Sequence, residues 1–143
     1  MSAGDDFDPK RFMSFVRRIG HGGALGIGYV DHGADWAELS LPWAPGLVGM
    51  PDSGVLASGP IISLMDMATS VAIWVRLNRF RHQATLDLRV DYLRPAIPER
   101  TVIGRGECYG LTRSVAFVRG TAHDGDPADP VAHVTGTFMF TDD

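Results

Sequence analysis

Apolar and polar positions alternate with a period of two along much of this chain, and one long stretch breaks that rhythm. Leu86, Leu88, Val90 and Tyr92 alternate with Asp87, Arg89 and Asp91, which predicts a strand with one buried face, stopped by Pro95. Further strands are expected over 24–31, 36–41, 101–109, 114–123 and 131–141, each bounded by turn-forming residues. In the last of these Ala132, Val134, Gly136, Phe138 and Phe140 share a face. The exceptional stretch, 58–75, is apolar round most of its circumference and reads as a core helix. It is expected to begin near Pro60, capped by Ser58 or Gly59, and to end between Leu77 and Arg81. A shorter amphipathic helix starts at Asp8-Pro9, repeats Phe12, Phe15, Val16 and Ile19 at helical spacing, and is expected to stop at Gly20, Gly22 and Gly23. Between the second strand and the core helix, residues 42–59 form a long loop rich in proline and glycine. Loops of that length in a compact domain are more often functional than not.

One helix followed by hairpin-linked strands predicts a mainly antiparallel α+β fold. The expected organisation is a single domain, 1–143, with an N-terminal helical segment (1–23) and a core (24–143). A lone helix is covered only if a sheet of about five to six strands curls around it. It cannot cover such a sheet on both faces, so self-association as a homodimer or homotetramer is expected.

Composition narrows the classes. The 143 residues carry a net charge of −4, which supports neither a nucleic-acid nor a membrane-surface partner. Asp66, Thr69 and Ser70 interrupt the longest apolar stretch and argue against a membrane span. The start, Met-Ser-Ala-Gly-Asp-Asp, lacks the basic and apolar regions of a secretory leader, so a cytoplasmic location is expected. Cys108 stands alone, and the histidines show no ligand spacing, so no metal site is expected. Nine arginines lie between Arg76 and Arg119, and their planar forks suit phosphate.

Asp66 is the centre of the candidate chemistry. It lies in the middle of the apolar helix, and no Lys or Arg occurs from Ile19 to Val75. A buried carboxylate without a partner is costly, and such groups concentrate where chemistry needs them. Ser63 and Ser70 lie three before and four after it, forming a narrow polar stripe on one face. At the helix start the backbone N–H groups of Ser58, Gly59, Ile61 and Ile62 are free to stabilise an oxyanion, while Pro60 has none. No Gly-x-Ser-x-Gly elbow supports a serine hydrolase. His21 is a candidate neighbour of a ligand, although nothing local places it there.

Four stretches, in order, resemble the acyl-CoA thioesterases of the hotdog superfamily, and within it the phenylacetate-pathway (PaaI-like) group. They are Leu41-Pro42-Trp43-Ala44-Pro45; Ser53-Gly54-Val55-Leu56 leading into Leu64-Met65-Asp66-Met67-Ala68; Thr85 through Ala96; and Gly136-Thr137-Phe138. The resemblance spans 26–140 and implies a hotdog fold that hydrolyses an acyl-CoA to free acid and coenzyme A. Asp66 matches the family's helix carboxylate, nucleophile or general base for water. Ser58, with Gly59 beside it, falls where an amide polarises the carbonyl, and Thr85 near a hydroxyl that orients water. Arg94, Arg113 and Ser114 match positions contacting the phosphates and pantetheine arm. Ser70 and Met50 are further substrate-facing candidates. No cofactor is implied beyond the coenzyme A of the substrate. Where family members commonly read Asn, His and Gly before the helix, this chain has Met50, Ala57 and Ser58. Those losses remove a water-orienting amide and a hydrogen-bond donor. They motivate a second reading, an acyl-CoA-binding hotdog protein without turnover. A third, a dehydratase or hydratase, needs a His beside the carboxylate, and none lies between Asp35 and Arg81.

Overall fold

The structure, a computed structural model, describes residues 6–142. The first five residues, on which the reading of the chain's start rested, lie outside the described residues. Two short helices, α1 (Pro9–Val16) and α2 (Gly20–Leu25), precede strands β1 (Gly28–His32) and β2 (Trp36–Leu41). The long helix α3 (Ser58–Leu77) is followed by β3 (Gln83–Tyr92), β4 (Val102–Leu111), β5 (Val115–His123) and β6 (Ala132–Phe140). All six strands join one antiparallel sheet in the order β1-β2-β4-β5-β6-β3, with α3 against one face. This is the expected hotdog arrangement.

The seat of α3 follows from side-chain size. Leu64, Met65, Ala68, Val71 and Ala72 are fully buried against β2, β4 and β5. Beneath them the strands carry glycine. A Cβ on Gly106 would lie 2.6 Å from the Ala68 carbonyl oxygen, and one on Gly104 2.8 Å from the Leu64 side chain. The helix therefore rests almost backbone to backbone on the sheet. By length and mean hydropathy (1.3) α3 could span a bilayer, yet 56% of that window is buried inside the fold. Its first residue is Ser58 and its cap is Ala57, which offers no side-chain hydrogen bond, so neither expected cap serves.

Two expectations change. The glycines after α1 do not simply end a helix; 20–25 form α2, where a strand was expected from Ala24. A Cβ on Gly22 would lie 2.8 Å from the Val16 side chain, and one on Gly23 2.9 Å from the Arg17 carbonyl. Glycine thus permits a close fold of α2 onto the end of α1, and Gly26 closes it at φ 75°. Strand β3 is also less buried than its alternation suggests. It lies at the sheet edge, with Leu86 55% and Tyr92 43% exposed, and only Leu88 and Val90 pack inward. A bulge between Thr85 and Asp87 re-aims its first half.

Candidate functional site

Helix α3 leaves one strip uncovered by its own chain: Gly59 and Ile62 are exposed, and Ser63 and Asp66 half-buried. Asp66 is therefore less buried than expected, and it has a partner. Thr85 Oγ1, brought over the strip by β3, donates to Asp66 Oδ1 at 2.7 Å. No ion pair among the described residues reaches Asp66. Ser70 is buried, and its hydroxyl donates back to the Asp66 carbonyl at 2.8 Å. Ser70 thus steadies the turn that carries Asp66, and its one donor is spent there.

The helix start is held from the same strand. Tyr92 donates its hydroxyl to the Ser58 carbonyl at 2.9 Å. Trp43 Nε1 donates to the Gly54 carbonyl at 2.8 Å, bracing the preceding loop, and Met50 stands 72% exposed at its turn. Ser58 and Asp66 are separated by about 12 Å along the axis, two helical turns. One chain therefore presents a carboxylate with a hydroxyl and, at a distance, the first-turn N–H groups of Ser58 and Gly59, which have no partner among the described residues.

Comparison with known proteins decides the family. The family model described as "Thioesterase superfamily" matches residues 53–131, the span holding the helix start, Asp66, Thr85 and Tyr92. The chain belongs to the thioesterase superfamily. It is 30% identical to the medium/long-chain acyl-CoA thioesterase YigI of Escherichia coli, over 87% of this chain and 88% of that protein. A crystal structure of a Pseudomonas aeruginosa protein superposes with a TM-score of 0.80 at 40% identity, covering 92% of this chain and 95% of that one. Thioesterase HI1161 of Haemophilus influenzae shares the fold at a TM-score of 0.80 and 21% identity, with 93% and 90% covered.

The positions carried over from other thioesterases divide on inspection. Arg94 makes hydrogen bonds to both carboxylate oxygens of Asp124, to the Asp129 side chain and carbonyl, and to the Pro95 carbonyl. A guanidinium has five N–H groups, so these contacts leave none for a phosphate. Arg94 instead ties the segment after β3 to the one after β5. Asp124, also accepting from the Ile97 N–H, is held down to a pKa of about 2, chiefly by the Arg94 hydrogen bond. Arg113 and Ser114 are exposed at the β4–β5 turn and line a cleft of about 350 Å³ with Arg81, Phe140 and Asp142. Arg81 is occupied by Asp142 at 2.7 Å, whereas Arg113 makes no ion pair with a described residue.

His21, a candidate neighbour of a ligand that nothing local placed, is placed by the fold. His21 Nε2, presented by α2, lies 2.8 Å from the Ser63 hydroxyl, one turn before Asp66. The two are 42 residues apart, and only the close fold of α2 onto α1 brings them together. His21 thus borders the strip through Ser63, while the side-chain hydrogen bond to the Asp66 carboxylate comes from Thr85.

Proposed function

We propose that this protein hydrolyses acyl-CoA thioesters, in the manner of the PaaI-like group, as a homodimer or an assembly of such dimers. The observation that carries the reading is the Asp66–Thr85 pair on the open strip of α3 in a thioesterase-superfamily chain. Thr85 fixes one carboxylate oxygen and leaves the other free to take a proton from water. That water attacks the thioester carbon, and the carbonyl oxygen becomes an oxyanion held by the Ser58 and Gly59 N–H groups. Collapse breaks the C–S bond, releasing the acid, and the proton gathered by Asp66 passes to the coenzyme A thiolate. Arg113, free at its turn beside Ser114, is the phosphate contact.

Two features support the dimer. Helix amides and carboxylate on one chain are about 12 Å apart, beyond the reach of a single thioester group. A second copy bringing its helix start to Asp66 closes that gap. Edge strand β3 also exposes Leu86 and Tyr92, with Leu93 just after it and Ile62 on α3 exposed as well, apolar side chains suited to a partner.

The test is thiol release from a panel of short-chain, medium-chain and aromatic acyl-CoAs by wild type and Asp66→Ala, with the mass of the assembly measured in parallel. Turnover lost in Asp66→Ala supports the reading; equal rates remove Asp66 from the mechanism. A second reading, binding without turnover, is favoured by Met50 and Ala57, which offer no polar side chain at the loop. Tight binding of intact acyl-CoA without thiol release would select it.

A further inference from the structure

We infer that His21 and Ser63 form a polar wall on the acyl side of this site, selecting acyl-CoA substrates that carry a hydroxyl at C3 of the acyl chain. The inference rests on the hydrolytic reading for the position of the thioester at Asp66.

Ser63 behaves unlike its neighbours on α3. Thr69 and Ser70 turn their hydroxyls back to carbonyls of the preceding turn, at Met65 and Asp66. The Ser63 hydroxyl instead meets His21 Nε2 at 2.8 Å, and both side chains are accessible on the strip that carries Asp66. A polar pair built from two elements and left open on the strip that carries Asp66, beside Ile62, is a recognition feature.

Direction along the helix says which part of the substrate it meets. Ser114 lies beside Phe140, which pairs with Gln83, and Gln83 reaches the Ser70 carbonyl. The Arg113–Ser114 turn is therefore off the C-terminal side of Asp66, whereas Ser63 is on the N-terminal side. With the coenzyme A phosphates at Arg113, the acyl chain runs from Asp66 toward Ser63. Neighbouring side chains three apart on a helix have Cβ atoms about 5–6 Å apart. A hydroxyl on C3, its oxygen three bonds from the thioester carbon, falls in that interval. A hydroxyl is the group that suits the pair, because it can donate and accept and so complements either tautomer of His21.

The experiment compares 3-hydroxydecanoyl-CoA (both enantiomers) with decanoyl-CoA for wild type, Ser63→Ala and His21→Phe, by thiol release. Wild type is expected to favour one hydroxylated enantiomer in kcat/KM by about tenfold, the worth of one added hydrogen bond. Each variant is expected to bring that ratio to about one. Calorimetric binding of the matching non-hydrolysable coenzyme A thioethers, with and without the hydroxyl, gives the same ratio independently of turnover. Absent hydrolysis with a retained binding ratio overturns the hydrolytic reading and leaves the wall standing. A wild-type ratio near one, in turnover or in binding, overturns the wall even if neither variant folds. A ratio unchanged in both folded variants does the same.

Discussion

Thr85 Oγ1 donates to Asp66 Oδ1 across 2.7 Å, joining the edge strand β3 to the middle of α3. Loss of either group should slow the chemical step. Asp66→Asn is expected to lower kcat about 10²- to 10⁴-fold, the usual worth of a positioned base. Thr85→Val keeps the shape and removes one hydrogen bond to a charged group, which predicts a loss of about ten- to a hundredfold. Steady-state thiol release on one acyl-CoA measures both, and Thr85→Ser should recover most of the rate.

Tyr92 holds the Ser58 carbonyl at the other end of the same strand. Burial pushes its hydroxyl above the usual tyrosine range, outweighing the opposite pull of the Ser58 bond, so it remains a donor at neutral pH. Tyr92→Phe should loosen the first turn of α3 and lower kcat about three- to tenfold while moving KM less than about twofold. A matched rise in KM with kcat unchanged would place the effect in substrate binding instead.

The Arg94–Asp124 pair predicts a specific acid sensitivity. Asp124 titrates at about 2 in the fold, below its ordinary value of 3.8, so the fold binds its proton less readily than the unfolded chain does. Its stabilising contribution, about 2 kcal/mol, is complete above about pH 4 and drains away as pH falls toward 2. Urea denaturation across that window should show the loss in wild type and a flatter profile in Asp124→Asn. Arg94→Ala, which strands a buried carboxylate, should cost about 3 kcal/mol at pH 7.

Glycines under α3 should differ in tolerance. An alanine at 106 would meet the Ala68 backbone at 2.6 Å, whereas one at 104 would meet the Leu64 side chain at 2.8 Å and the Met65 sulfur at 2.9 Å. Side chains can turn aside and backbone cannot. Gly106→Ala is expected to cost about 2–3 kcal/mol and Gly104→Ala clearly less, read as the difference between their thermal midpoints.

Elements whose pattern is local were legible in the sequence. The 58–77 helix, its lone carboxylate and the buried face of β6 follow from apolar spacing, because each residue's environment is set by its near neighbours on one element. Helix α2 was not legible, since its glycines are poor helix formers and take that form only against Val16 and Arg17. The contact of Thr85 with Asp66, 19 residues away, was likewise not legible, since it depends on where β3 crosses α3. Arg94 matched a phosphate-binding position by motif, yet its partners, 30 and 35 residues away, arrive through tertiary structure. His21 met Ser63 for the same reason.

The glycine floor beneath α3 has a consequence for how this chain can diversify. With Gly106 under the Ala68 backbone, the floor beneath the helix that bears Asp66 cannot be thickened there without displacing main chain. On the hydrolytic reading proposed above, changes in the acyl groups accepted come from pieces resting on the outer side. Those are the short glycine helix that delivers His21 and the proline-rich loop ahead of Ser58, where a substitution can reshape the surroundings of the strip while the carboxylate stays in place.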